Sequence, residues 1–444
     1  MTGTLSVSFT DDLGADRFGE SECSTAFDAL TGIDRPVEIQ VPPGIYPLAD
    51  RTHRINPQNS LPQEQKSVSF IPGPGGSVAV DGTIVDRPRF VAPEDYSGTL
   101  FDFAGPSIDV QGVDIDRRGL GAGPQTRLRV GKSASLTDIR LLDRDDTNSP
   151  HGAMFDVRSA PQATVHVDRL DIPHGADWTR EMATSGDRVG RPGIYAGPHH
   201  EGTLRIERSV ISECSSYGIE ASESPGRTVI NDCTFRNSNR AQIRFGGPLD
   251  VLRDSTIVVD LDTVTTPNVR GTVPVNGVST NGYVDARGVR LCRDPQQLRT
   301  DDLGDETTIV DSSIHIRSLA DRTSDSQLVA RSGAIRGSAT ASNSIIRSCT
   351  VRSDVDGIPA IRFDSPATAQ QLFGNSDIVF SRGVEIHDTT VGGFASDGTT
   401  VAIYNRPTTI TGSCVERSPD RTALDIVDNA TVTTTDVSPY CDGV

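Results

Sequence analysis

The chain has 444 residues, a formal charge of −18 and 35% hydrophobic residues, with a mean hydropathy of −0.32. That length allows a large core, several domains or one long repeat domain, and the net acidity argues against a nucleic-acid binder. No window approaches the roughly 18 apolar residues that cross a membrane, and MTGTLSVSFTDDLGAD has neither a basic n-region nor an apolar h-region, so no signal peptide is expected.

In chain order, residues 1–10 alternate in polarity and are β-prone, as an attachment strand would be. Ser21 or Ser24 can cap a short helix over about 24–31, and VEIQVPPGIYPLA (37–49) reads as strand. Residues 1–60 form an N-terminal opening and cap. In GVDIDRRG, Asp114 and Asp116 share one strand face about 6–7 Å apart, a separation open to an inverting glycosidase pair. The plain alternative is chance, since the chain holds 46 Asp.

From residue 128 onward one frame recurs. It begins with LRVGKSASLTDIRLL (128–142) and ATVHVDRLDI (163–172). It continues through ERSVISEC (207–214), GRTVINDC (226–233), LDVLRDSTIVVD (249–260), TTIVDSSIHIRS (307–318), SIIRSCTVRS (344–353), GVEIHDTTV (383–391) and TTITGSCVER (408–417). Two to four β-rich residues lead to a polar pair, a small residue and another short strand. The small residue is Cys214, Cys233, Ser255, Ser313 and Cys349; Thr389 fits less tightly, and Cys414 only with a one-residue slip. The spacings are 19, 22, 58, 36, 40 and 25 residues. Short spacings are one turn of a coil; long ones are two turns, or a turn carrying an insertion. Such strands are too short for an isolated sheet, but stacked about 4.8 Å apart they bury a continuous interior. The expected class is an all-β parallel β-helix over 61–417, with lateral loops at about 173–200 and 262–306, and a C-terminal coil and cap over 418–444. The repeated cysteines read as buried ladder residues. Seven is an odd number, and Ser or Thr takes the same slot, which a disulfide framework should not tolerate. One or two disulfides stand as the alternative. No Cys-x-x-Cys or His-x-x-His spacing points to a metal.

The N-terminus adds a resemblance. DDLGADRFGESECSTAFDALTG (11–32), with Gly14, Ala15, Gly19, Ser24, Thr25 and Ala26, and the Pro42-Pro43-Gly44-x-Tyr46 step resemble the start of the pectate-lyase-like superfamily. This resemblance implies a single-stranded right-handed parallel β-helix (solenoid) with an N-terminal capping helix. Glu22-Cys23-Ser24 stands where the pattern usually has Asp-Asp or Asp-Ser. Forty Arg against Lys66 and Lys132, and 46 Asp against 14 Glu, resemble proteins of haloarchaea and their viruses; at molar salt, with a Debye length of about 3 Å, the self-repulsion would be screened. Residues 193–245 also look like a β-helix segment of such proteins.

Candidate site residues lie mainly outside the repeat frame. In LLDRDDTNSPHGAMFD (141–156), Asp145, Asp146 and His151 could converge for acid–base work, or the two aspartates could hold Ca²⁺; the alternative is an acidic surface loop. No other cofactor and no other metal is expected. In IYAGPHHEG (194–202), His200 and Glu201 are candidate catalytic groups, with Tyr195 and His199 as sugar contacts, against a plain turn with hydrated histidines. Trp178, in the polar stretch 177–193, serves equally as a sugar-stacking platform or a core plug. Arg270 and Tyr283, within 262–306, are candidate substrate contacts. The superfamily's marks of catalysis (Asn-Thr-Asp, Asp-Asp followed by Gly-His-Gly, Arg-Ile-Lys) are missing.

The favoured function is a spike, fibre or decoration protein of a virion or cell surface in a halophile system, binding host glycan through loops on the β-helix. Its expected partners are surface polysaccharide or glycoprotein glycan and other virion or surface proteins, in a homo-oligomer such as a trimer, with neither nucleic acid nor membrane insertion. A virion part released by lysis needs no export signal. The alternative is a polysaccharide lyase or glycoside hydrolase, including a virion depolymerase. An intracellular sugar epimerase is the third reading, and no phosphate-binding loop supports it.

Overall fold

The computed structural model describes the chain apart from residues 1–3, 20, 32, 34, 55–66, 75–85, 97, 118–122, 146–152, 177–190, 265–272, 276–277, 281–286, 293–305, 320–332, 342, 366–382, 394–397, 417–420, 428–431, 440 and 442–444. The strands gather into a 24-stranded and a 12-stranded parallel sheet, plus one antiparallel pair, Val273–Val275 with Val278–Thr280. One coil comprises Ile194–His200, Thr203–Glu207 and Val210–Ser212; the next comprises Ile219–Glu220, Arg227–Asn231 and Thr234–Arg236. These three positions define a first, second and third face, and each strand pairs with its equivalents one coil away. Parallel strands joined by crossovers wind right-handed, so the fold is a right-handed parallel β-helix. Near the N-terminal end, Thr99–Gln111 and Gln125–Thr137 run across both the first and second faces, which joins those faces into one sheet.

The interior is built from columns of like residues. Ile194, Ile219, Ile243, Val289, Ile335, Ile361 and Val401 stack along the first face. Ile206, Ile230, Leu252, Ile309, Ile346, Ile386 and Ile410 do so along the second. All fourteen are fully buried, each contributing about 1.5–3 kcal/mol of apolar burial. β-Branched side chains suit a pleated surface packed on both neighbours, and strand alternation sends the residues between them outward.

A second column lies in the bend between the second and third faces. Asp138, Arg169, Arg208, Asp232, Asp254, Asp311, Ser348 and Asp388 all have φ between +46° and +61°. Non-glycine residues there cost about 1 kcal/mol or more, least for Asp and Asn. After Asp138 and Arg169 the next residue is apolar, Ile139 and Leu170, but from Arg208 onward it is small and carries a hydroxyl or thiol: Ser209, Cys233, Ser255, Ser312, Cys349 and Thr389, with Ser413 following Gly412. The hydroxyls of Ser209, Ser255, Ser312, Thr389 and Ser413 each donate to the carbonyl two residues back at 2.7–2.9 Å. Several also accept the backbone N–H of the equivalent residue one coil earlier, as Ser255 does from Cys233 at 3.1 Å. The expected ladder is therefore real, with corrected membership. Cys214 lies beyond the third-face strand Val210–Ser212, Ser313 is one residue late, and the slip at Cys414 resolves to Ser413. Cys414 instead forms a disulfide with Cys441, the alternative to the ladder. The other five cysteines are buried thiols.

At the N-terminal end Leu5–Ser8 pairs with Val37–Val41 as the first rung. The helix Ser24–Thr31 lays Ala26, Phe27 and Leu30 into the core, where Phe27 meets Phe9, Phe70, Phe90 and Phe101. The Ser24 hydroxyl accepts from Ala49 N–H. Gly44 is held against Arg17, whose carbonyl oxygen a Cβ would meet at 2.6 Å. The Tyr46 hydroxyl donates to Pro42 O at 2.8 Å. The coil also reclaims part of both expected lateral loops, because Ile194–His200 and Arg287–Leu291 are first-face strands. Arg421–Val427 and Val432–Thr435 add the final described rungs.

Candidate functional site

Of the candidates in 194–202, only one keeps a place on an outward row. His200 is fully buried and its Nδ1 lies 2.7 Å from Ser159 Oγ. Burial pushes its imidazole down to about 4, against a weaker pull from the Arg227 backbone. His199 and Glu201 are exposed, so the structure does not gather His200 and Glu201 into one open acid–base site. The reason is local. Pairing with Phe155–Ser159 shifts register between Val157 and Ser159, and the bulge returns His200 to the buried side. Tyr195 is half-buried on the first face and its hydroxyl donates to Glu223 Oε2 at 2.6 Å. Burial, reinforced by Glu223, raises its phenol above the ordinary range.

Asp145 is buried with its carboxylate 2.5 Å from Arg191 Nε, both side chains at zero exposure. Arg117 sits in the same enclosure and donates to the carbonyls of Asp143, His174 and Gly175. Burial pulls Arg117 down to about 10, with Asp145 opposing. A carboxylate committed to a buried arginine does not fit an open Ca²⁺ site. Asp114 and Asp116 are likewise closed in: Arg140 lies 2.5 Å and Arg87 3.8 Å from Asp114, and Arg89 lies 3.9 Å from Asp116. Asp146, His151, Trp178, Arg270 and Tyr283 lie outside the described residues. Among the described residues no group of three His, Cys, Asp or Glu is placed to hold a metal ion.

The feature absent from the expected candidates is a row that runs through Tyr195. Direct pairing on the first face stacks Asp102, Arg127, Asp156, Tyr195, Glu220, Arg244, Arg290, Arg336 and Arg362. Their strand neighbours Ile243, Val289, Ile335 and Ile361 point inward, so these side chains point outward. The lower part alternates in sign and neutralises itself: Arg127 and Arg158 both reach Asp156, at 3.0 and 2.9 Å. The upper part is four consecutive arginines. Glu220 lies 3.2 Å from Arg244, and Asp364 lies 2.6 Å from Arg336 and 3.1 Å from Arg362. Arg290 donates to Tyr217 Oη at 3.2 Å. Arg244 and Arg290 approach Cys292 Sγ at 3.7 and 3.6 Å. Aromatic rings border the run, with Arg244 over Tyr217 at 5.4 Å and Arg362 over Tyr404 at 5.3 Å. The sequence signal is an Ile/Val-Arg step at 243–244, 289–290, 335–336 and 361–362.

No family model and no curated protein matches the sequence. Among solved structures the chain is similar to PfbA, a surface adhesin of Streptococcus pneumoniae, at 11% identity and TM-score 0.48, over 98% of this chain and 91% of that one. It is similar to the Agl-KA catalytic domain at 13% identity and TM-score 0.49, over 97% and 68%. A third similarity is to the Dettilon tailspike protein, at 11% identity and TM-score 0.42, over 95% and 68%. Such values carry no chemistry from those proteins to this one.

Proposed function

We propose that this chain is a recognition protein of a virion or cell surface in a halophile system, binding surface glycan along the outside of its β-helix. One observation carries the reading: a continuous outward row on one face, with arginines in succession and tyrosines beside them. Arginine forks suit the charged groups of a glycan, and rings suit the apolar face of a sugar. A rigid stack presents such a row with little entropy left to lose on binding. The arginine-rich, lysine-poor and aspartate-rich composition fits a high-salt setting. Other virion or surface proteins, and further copies of the chain in a homo-oligomer, are the proposed assembly partners.

A second reading, cleavage of the bound glycan as a lyase or glycoside hydrolase, is favoured by the Tyr195–Glu223 pair, two rungs before the arginine run on the same row. A phenol held protonated by burial beside a carboxylate is a candidate proton donor. The test is binding to whole host-type cells in molar salt, alongside a digest of their surface polysaccharide with and without Ca²⁺. Binding without new reducing ends is expected. New ends, lost in Tyr195→Phe, would make the protein an enzyme. Absence of both would overturn glycan recognition.

A further inference from the structure

The geometry points to the chemical class of the ligand: we propose that Arg244, Arg290, Arg336 and Arg362 form a row of subsites for a linear acidic glycan lying along the stack axis. This rests on the glycan reading above and narrows it to chains carrying carboxylate or sulfate groups at regular intervals.

Three observations converge on it. The first is register. The four residues are direct partners on neighbouring rungs, so their backbones repeat every ~4.8 Å and the run spans about 14 Å. Such a spacing is close to the advance of one pyranose along an extended chain, so successive acidic sugars can meet successive guanidiniums.

The second observation is charge. Like charges directly opposite each other in a sheet are destabilising, and here three successive pairings carry them. In the lower part of the same row the signs alternate through Asp102, Arg127 and Asp156, and beside it the like-charged partners Arg129 and Arg158 are each answered by an aspartate. Glu220 is seated against Arg244, and Asp364 against Arg336 and Arg362. In a chain of net charge −18, a local positive run is the reverse of the global pattern. Cys292 responds to it: burial pushes its thiol up, yet Arg290 and Arg244 more than offset this and bring it to about 7.

The third observation is preorganisation with access. The side chains of Arg244, Arg336 and Arg362 are 19%, 13% and 23% exposed, so each is held by its neighbours while still reaching solvent. Tyr217 and Tyr404 brace the run through ring contacts. A braced guanidinium presents a planar fork that matches carboxylate or sulfate in two parallel hydrogen bonds, which an ammonium does not.

The test uses the full chain and four probes: a polyuronate, a sulfated polysaccharide, neutral dextran and a single-stranded oligonucleotide. Binding is measured by calorimetry at several salt concentrations. Wild type is compared with Arg290→Gln, Arg336→Gln and Arg290→Lys, and with Arg253→Gln on the second face as control. Expected is binding of an acidic polysaccharide, with about tenfold or greater loss for each Gln variant. The Lys variant should fall between, and the control should not change. Preference between the two acidic probes identifies the anionic group. Arg336→Gln also gives up the pair with Asp364 and should melt lower, so binding is compared at a temperature where every variant is folded; a merely structural role predicts that Arg290→Lys binds no better than Arg290→Gln. Equal binding of dextran, unaffected by the variants, would overturn the acidic row while leaving glycan recognition standing. Host-cell binding with none of the probes bound would do the same. An oligonucleotide bound as tightly as the polysaccharide would overturn the glycan assignment.

Discussion

Acid should loosen this β-helix at two buried histidines. His53 and His200 are 2% and 0% exposed. His53 packs its ring against Phe27 at 4.9 Å. Burial, helped by Arg51, lowers it to about 4, and burial lowers His200 to about 4. In the unfolded chain each imidazole takes up its proton near 6.5. Between those values the unfolded state holds more protons, so stability is full above about pH 6.5 and falls as pH drops toward 4. A difference of roughly 2.5 units is worth about 3 kcal/mol for each histidine. Both together approach the whole stability of a typical small domain. Denaturant unfolding from pH 7 to pH 4 would read the loss. Because a stack opens locally, hydrogen exchange at His53–Arg54 and Ile194–His200 would place it. The variant His53→Phe, which suits the aromatic cluster, should remove about half of the pH dependence, and His200→Gln much of the rest. An unchanged loss in the double variant would refute the argument.

Three further outcomes follow from the columns. Ile243→Ala should cost about 2–5 kcal/mol, because the site is walled by rungs on both sides and cannot collapse; Val210→Ala on the exposed surface should cost less than about 1 kcal/mol, and equal costs in thermal unfolding would count against the ladder. Asp254 has φ +48°, so Asp254→Ala should lose about 1 kcal/mol while Asp254→Gly loses little, a contrast that unfolding midpoints can read. Thiolate absorbance should show Cys292 titrating at about 7 and Cys214 and Cys233 only at about 12. Arg290→Gln should move the Cys292 step upward, and a step that stays in place would remove arginine as its cause.

The repeat is legible from sequence because an inward column needs only apolar character at each rung. Ile230, Leu252 and Ile309 announce themselves whatever the exact alignment, and that suffices to recover a stack with short strands. The bend column is legible in kind and not in position. Cys214 and Cys233 follow similar strings, but Cys214 comes after a third-face strand and Cys233 before one, so likeness of local sequence misplaces the first. Cys414 is displaced from the slot by a single residue, which is enough to give it a disulfide partner instead.

The outward row fails the same reading for a physical reason. Its members are adjacent in space only because pairing brings rungs of very different lengths into register. Arg244 and Arg290 are 46 residues apart in sequence, as are Arg290 and Arg336, whereas Arg336 and Arg362 are 26 apart. The Ile/Val-Arg step therefore has no fixed period, and an acidic chain with arginines throughout hides four of them well. Candidates chosen for local chemistry meet the converse problem. Asp145 and the Asp114–Asp116 pair look free along the chain, yet Arg191, Arg140 and Arg87 reach them from elsewhere in the stack. In a solenoid a side chain's partners are set mainly by the rungs above and below. Chemistry read along the strand identifies the groups, and only the register decides which of them neutralise one another and which are left facing a ligand.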